Sequence, residues 1–345
     1  MSTDIHIRIE GRAGRITLNR PDALNAVTHE MCLAIEEALT AWEGDPAVAL
    51  LVIDGTGERA FSAGGDLMQM YETGTRGDFG YGRRFWADEY RMNRRMFEFP
   101  KPVVTFLHGF TMGGGVGVGC HGSHRIVCED SQIAMPECGI GLVPDVGGSL
   151  LLARAPGRVG EYLGVTGTRM GPGCAIFAGF ADYYIPRADW PRLIGVLSET
   201  GDWDAVDRST LPPPDSPLAA MQADIDDSFA GETLRDILTM LEFRDTDFAR
   251  ESLKKIARNA PLSMACTVEL VHRARSRDRI DEALMQEYRF TSRSMEQGDF
   301  LEGIRAQIID KDRTPKWAHA AARDVTLAEV AQMLRPVPAA DAPDI

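Results

Sequence analysis

Two stretches of this chain turn on glycine directly after an apolar run. Ala60-Phe-Ser-Ala-Gly-Gly-Asp66 follows the run at residues 48–53. Gly109-Phe-Thr-Met-Gly-Gly-Gly-Val-Gly117 follows the run at residues 103–107. A short, unbroken apolar run reads as a strand covered on both faces, the kind found in parallel sheets. Glycine at its C-terminal end permits a sharp turn, a close approach to the backbone, and a helix start with free N–H groups. Open α/β sheets gather their ligands at that edge. The residues alone leave two readings: tight turns with close helix packing, or two sets of backbone donors for a developing oxyanion. A phosphate loop is excluded, because no Lys-Ser/Thr pair follows the second turn. Gly115-Val-Gly117-Val-Gly119 also misses the spacing of a dinucleotide fingerprint.

The flanking patterns predict the rest of an α/β layer structure. Ile5, Ile7 and Ile9 alternate, and Ile16 and Leu18 follow after a Gly11–Gly14 turn, which predicts a β-hairpin. Thr28 is placed to cap a helix with Met31, Ile35, Leu39 and Trp42 on its apolar face, ending at Asp45-Pro46. Strand and helix signals alternate through residue 199. A Pro-rich connector ends near residue 217. Helical patterns then fill 233–241, 248–257, 262–276, 280–298 and 327–334. The expected organisation is an α/β core over 1–199, a helical region over 200–335 packing on that core, and a flexible tail over 336–345.

Composition enters by exclusion. A formal charge of −14 argues against general nucleic-acid or anionic-membrane binding, though not against a local basic patch. No apolar stretch reaches the roughly 18 residues of a membrane helix. The start Met-Ser-Thr-Asp lacks the features of a signal peptide, so a cytoplasmic location is expected. The six cysteines show no zinc spacing and read as small buried thiols. His108, His121 and His124 lack a third ligand in pattern and read as packing or surface residues, so no metal is expected.

Two acids stand out by position. Phe85, Glu89, Met92 and Met96 share one helical face. A carboxylate on an apolar face costs several kcal/mol, by order of magnitude, unless it is neutral, paired or hydrogen-bonded. Glu89 therefore meets a buried partner, such as an arginine, or lines a cavity. Asp145 lies in Leu142-Val-Pro-Asp-Val-Gly-Gly148, just before a helix predicted to start near Val146. It is placed to cap that helix, to contact substrate, or both.

Leu18-Asn-Arg-Pro-Asp-Ala-Leu-Asn-Ala26, Ala60-Phe-Ser-Ala-Gly-Gly-Asp-Leu67, the 113–115 glycine triplet and Met135-Pro-Glu137 together resemble the crotonase superfamily, the enoyl-CoA hydratase/isomerase group. The resemblance runs over residues 5–190 and again over 260–318, with 200–258 lacking a counterpart in a minimal member. It implies a stacked ββα spiral core of the ClpP/crotonase kind with a helical C-terminal part. It also implies an oxyanion hole from the Gly65 and Gly114 amides, and a CoA pocket lined by residues 22–26 and 63–67, with Leu24, Ala63 and Asp66 in contact with substrate. A hydratase of this group uses two glutamates. One position is Glu137; the other is Gly117 here, which speaks against simple hydration.

Asp88-Glu-Tyr-Arg-Met-Asn93, His108-Gly-Phe-Thr-Met-Gly-Gly-Gly-Val-Gly117 and Gly141-Leu-Val-Pro-Asp-Val-Gly-Gly148 resemble the 3-hydroxyisobutyryl-CoA hydrolase branch. That branch implies thioester hydrolysis in valine catabolism. Glu137 would be nucleophile or general base, and Asp145 and Glu89 would accept a hydrogen bond from the substrate's 3-hydroxyl. Coenzyme A is part of the substrate, and no separate cofactor is implied. Family members form trimers or hexamers, which implies a homo-oligomer. The competing expectations are an enoyl-CoA isomerase or hydratase, and, in another class, a non-catalytic acyl-CoA-binding protein.

Overall fold

The computed structural model describes residues 3–339 and 342–345. Met1 and Ser2 of the expected core, and Ala340 and Asp341 of the expected tail, lie outside the described residues. The chain divides into two compact units, each drawn from three segments. One comprises Met1–Asp66, Arg91–Ala134 and Arg169–Pro217; the other comprises Leu67–Tyr90, Met135–Thr168 and Leu218–Ile345.

All the strands belong to the first unit. The hairpin is β1 (Ile5–Glu10) and β2 (Ala13–Leu18), and Gly11 makes its turn with φ of 59°. β1 is the edge of its sheet, so Ile5 is buried while Ile9 stays 48% exposed. Thr28 Oγ1 accepts from the Met31 N–H at 3.2 Å and starts α1 (His29–Glu43), which buries Met31, Ile35, Leu39 and Trp42.

The apolar runs become β3 (Leu50–Gly55) and β5 (Val103–Leu107), parallel neighbours. With β7 (His124–Val127) and β9 (Tyr183–Tyr184) they complete a six-stranded sheet of order β1-β2-β3-β5-β7-β9. Val52, Val104, Phe106 and Ile126 pack with Trp190, Leu193 and Leu197 in one of its cores. Burying side chains of this size contributes about 1.5–3 kcal/mol each.

A second sheet has three short parallel strands, β4 (Ala60–Ser62), β6 (Phe110–Met112) and β8 (Gln132–Ala134), in the order β4-β6-β8. A repeat is now visible along the chain. A long strand enters the large sheet, a short strand enters the small one, and a helix follows: β3–β4 and then α2 (Met68–Thr75) and α3 (Gly80–Phe97); β5–β6 and then α4 (Gly114–Gly119); β7–β8 and then α5 (Gly148–Arg154). This is the stacked ββα arrangement with a parallel sheet that the sequence led us to expect.

The second unit is helical. Its long helices include Pro261–Arg277 and Ile280–Gln297. Thr233 and Asp236 form a reciprocal capping box that starts Leu234–Phe243, and Thr326 and Glu329 do the same for Leu327–Met333. The stretch read as a connector carries a helix of its own, Asp204–Ser209, in the first unit. No helix among the described residues is long and apolar enough to cross a membrane.

Candidate active site

The sequence-predicted amides lie together in the first unit. β4 and β6 pair in parallel, with Ser62 opposite Thr111, so the segments that leave them start at the same edge of the small sheet. Beyond β4, the Val27 N–H donates to the Gly64 carbonyl at 2.8 Å and the Asp66 N–H donates to the Val27 carbonyl at 2.8 Å. That is a parallel bridge centred on Gly65. The bracketed residue of such a bridge turns its own N–H to the opposite side. The Gly65 amide is therefore directed away from Val27.

Beyond β6, the Val116 and Gly117 N–H groups both donate to the Gly113 carbonyl, at 2.7 and 3.2 Å. Gly114 and Gly115 are the first helical residues and have no acceptor within the helix. Gly113 itself has φ of 49°, which only glycine adopts at little cost. A Cβ on Gly115 would sit 2.5 Å from the Ser62 carbonyl oxygen, so the start of α4 lies directly against β4. Close packing, one of the two readings left open by the sequence, is present in this turn.

Leu24, Ala63 and Asp66 lie around Gly65. The Ala63 N–H donates to the Leu24 carbonyl at 2.9 Å, and Asp66 pairs with Arg20 at 3.0 Å. Leu24 and Asn25 both have positive φ, 51° and 54°. Sequence reasoning placed Asn25 only within the 22–26 segment implied to line the CoA pocket, yet it is fully buried and holds this loop. Its Oδ1 accepts from the Arg20 N–H at 2.8 Å, and its Nδ2 donates to the Thr56 and Ala60 carbonyls at 2.9 and 3.0 Å. The available signal was that asparagine tolerates the left-handed region and bonds to nearby backbone.

The sequence-predicted acids lie in the second unit. Glu137 follows β8 by a few residues in the chain and opens a short 3-10 turn. Glu89, Glu137 and Asp145 are each no more than 4% exposed. A further acid that sequence reasoning missed, Glu287 on the Ile280–Gln297 helix, is 0% exposed. None of these carboxyls has a salt bridge among the described residues. Glu89 Oε1 and Glu137 Oε2 have no hydrogen-bond partner. Among the described residues Glu89 therefore forms no ion pair with an arginine.

Glu161 of the same unit shows the contrast. It is equally buried, but accepts from Arg275 at 2.6 Å, His272 at 3.1 Å and Arg158 at 2.9 Å. Burial alone would raise its pKa, but those partners pull it down to about 2.

In the unpaired cluster every shift is upward. Burial raises Glu89 well above the ordinary range, and Asp145 repels it further. Burial, then Asp145, Glu287 and Glu89, do the same to Glu137. Burial pushes Asp145 up to about 7, against the Tyr90 hydrogen bond that favours its ionised form. Glu287 is also pushed to about 7, chiefly by burial. Groups poised this way can exchange protons near neutral pH, as acid–base and nucleophilic chemistry requires.

Asp145 does not cap the helix that follows it. α5 begins only at Gly148, its N-cap is Gly147, and no side chain caps it. Val146 and Gly147 are both left-handed, with φ of 53° and 80°. This double turn puts the helix start out of reach of Asp145 as a cap. The Asp145 carboxylate accepts instead from the Tyr90 hydroxyl at 2.7 Å. Burial and nearby carboxylates raise the Tyr90 pKa, so its phenol stays protonated as a donor.

The histidines and thiols stay apart from this chemistry. His108 packs on Trp190, His121 on Phe97, and His124 stacks on Tyr183. Cys138 is buried, and its thiol is pushed up to about 12 by burial. Among the described residues no group of three or more His, Cys, Asp or Glu side chains is arranged to hold a metal ion.

Repeated ββα units, two of whose short strands lead into glycine-rich turns, define a crotonase-type acyl-CoA enzyme. The chain belongs to the enoyl-CoA hydratase/isomerase family, whose model it matches over residues 13–334. It is 36% identical to 3-hydroxyisobutyryl-CoA hydrolase, mitochondrial, of Rattus norvegicus, over 94% of this chain and 87% of that one. It is 34% identical to the Homo sapiens protein of the same name, over 94% and 86%. Among solved structures, an enoyl-CoA hydratase from Rhodobacter sphaeroides is 54% identical, with a TM-score of 0.94 over 99% of this chain and 100% of that one. A carnitinyl-CoA dehydratase from Mycobacterium thermoresistibile is 40% identical, with a TM-score of 0.93 over 98% of each.

Proposed function

We propose that this enzyme hydrolyses the thioester of a short 3-hydroxyacyl-CoA, with 3-hydroxyisobutyryl-CoA of valine catabolism as the first candidate. The observation that carries the reading is the set of buried carboxyls, Glu89, Glu137 and Asp145, without a cation and with raised pKa values. Gly117 stands where a hydratase needs its second glutamate, so the set is not that of water addition. Relatives named as hydrolases of this substrate support the same assignment.

In the proposed reaction the Gly65 and Gly114 amides bind the thioester oxygen and stabilise the charge that develops there. Losing one such donor typically costs about 3 kcal/mol in the barrier. Ionised Glu137 attacks the carbonyl carbon; the C–S bond breaks and CoA leaves as thiolate, then takes a proton. Water opens the resulting anhydride to give the hydroxy acid and free Glu137. The variant of this route has Glu137 remove a proton from the attacking water. Asp145 and Glu89 accept from the substrate hydroxyl. An acyl group without the hydroxyl would leave those groups unpaired and be rejected. The reaction draws on no cofactor beyond the CoA of its substrate, and we place it in the cytoplasm.

A second reading, hydration or isomerisation of an enoyl-CoA, is favoured by the 54% identical structure, which is named an enoyl-CoA hydratase. One assay separates the two. Purified protein is given 3-hydroxyisobutyryl-CoA with a thiol-trapping dye, and crotonyl-CoA in parallel with the loss of enoyl absorbance followed. CoA release from the first and no change in the second is the expected outcome. Absence of CoA release at micromolar enzyme would sink the hydrolase reading.

A further inference from the structure

Glu287 is the buried acid for which the proposed reaction has no use. Its carboxylate is 0% exposed and makes no ion pair among the described residues. Its Oε2 accepts from the Gly147 N–H at 2.8 Å. Its Oε1 accepts from the Ser149 N–H at 2.9 Å and from the Ser149 hydroxyl. Those amides belong to the first residues of α5, whose start has no side-chain cap of its own. A side chain from a distant helix therefore does what an N-cap residue usually does.

The capped backbone is the one that sets Asp145. Val146 is β-branched and left-handed, a conformation such residues adopt only when their surroundings impose it. The strained pair Val146 and Gly147 lies between the Asp145 side chain and the amides that Glu287 holds. One helical turn beyond Glu287, Thr291 Oγ1 lies 3.4 Å from the Tyr90 hydroxyl that donates to Asp145. Two residues of one helix thus brace Asp145 from its backbone and from its hydrogen-bond donor.

Resting on the hydrolase reading, we propose that Glu287 is a positioning residue: it holds the Val146–Gly147 turn by three hydrogen bonds and so fixes the angle at which Asp145 faces Tyr90 and the substrate. The bonding pattern demands a carboxylate. Both oxygens face N–H donors, so glutamine would set its own NH2 against one of them. Positional errors of this kind, even about 1 Å, can lower turnover by about a hundredfold. Glu287 also adds negative charge to the cluster. The groups that sense it are Glu137 and Tyr90, its presence holds the Glu137 pKa up, and Asp145 in turn raises Glu287.

The test uses the full-length enzyme with Glu287→Gln and, as a milder change that keeps both backbone bonds, Ser149→Ala. For Glu287→Gln we expect kcat to fall about tenfold to a hundredfold with KM nearly unchanged. The acidic limb of the pH–rate profile should move to lower pH, because Glu137 ionises more easily beside a neutral neighbour. Ser149→Ala should show a smaller loss of kcat. A folded Glu287→Gln enzyme with wild-type kcat and an unmoved profile overturns the inference, as does a folded Ser149→Ala enzyme with no loss. A crystal structure supplies a readout that does not depend on the substrate. If Asp145 keeps its 2.7 Å bond to Tyr90 in Glu287→Gln, the positioning role is refuted even for an active hydrolase. A wild-type enzyme that releases no CoA sinks the hydrolase reading instead.

Discussion

Tyr90→Phe removes one hydroxyl from the carboxyl cluster, with its bond to Asp145 and its longer contact with Thr291. The ring and its T-shaped contact with Tyr288 stay, and only the hydroxyl that donates to Asp145 at 2.7 Å is lost. Asp145 rises from 3.8 to about 7 on folding, chiefly through burial. That rise corresponds to roughly 4 kcal/mol. An acid whose pKa rises on folding opposes folding in full above the raised value. The penalty fades as pH falls below about 7 and vanishes below the unfolded value. The Tyr90 bond works against this penalty because it favours the ionised form.

The bond should therefore be worth more at high pH than at low pH. Above pH 7 the acceptor is charged, and such a bond contributes about 1.5–3 kcal/mol; to the neutral acid it contributes about 0.5–1.5 kcal/mol. Reversible urea unfolding of wild type and Tyr90→Phe at pH 8.5 and pH 5.5 gives the comparison, with tryptophan fluorescence as the signal. The variant should lose about 1–2 kcal/mol more at pH 8.5 than at pH 5.5. Equal losses at both values would show that Asp145 does not titrate between them, and the reasoning about the cluster would fail.

Glu137→Gln should lower turnover at least roughly a hundredfold while CoA binding, read by calorimetry, changes little; unchanged turnover would favour a binding protein. Gly115→Ala places a Cβ 2.5 Å from the Ser62 carbonyl and should cost about 1–3 kcal/mol. A thermal midpoint equal to wild type would show that α4 can shift away freely. Cys138 should resist iodoacetamide in the folded enzyme at pH 8, since its thiol is buried and pushed up to about 12. Its rapid labelling, read by peptide mass spectrometry, would contradict that burial.

The parts of the fold visible in the sequence are those whose cause is local. The hairpin, α1 and the long strands β3 and β5 follow from period and capping, and the five helices expected after residue 232 end within a residue or two of the pattern. The strands β4, β6 and β8 are three residues each, too short to show any alternation. Their pairing is set by neighbours distant in sequence, such as Phe110 opposite Gln132. The small sheet was therefore not legible, though it is what lines up the Gly65 and Gly114 segments. Asp145 was misplaced as a possible cap for a related reason: nothing local in Pro-Asp-Val-Gly-Gly announces a left-handed valine.

Burial of an acid is legible from sequence, but its state is not. Glu89 was found because it interrupts an apolar helical stripe. The same signal marks Glu287, which shares a face with Ile280, Ala283, Leu284 and Thr291, all buried. Glu161 is just as buried, and no pattern around it separates it from the other two. What separates them is supplied from far along the chain: Arg275, 114 residues away, for Glu161, and the backbone amides at 147 and 149 for Glu287. Glu89 receives neither. Cations hold one acid ionised and structural, amides hold another in place, and burial without a cation raises the pKa of Glu89, Glu137 and Asp145. The proposed reaction would use acids of that last kind, so the oxygens of Glu89 and Glu137 left without a partner among the described residues carry more of the proposal than any contact those acids make.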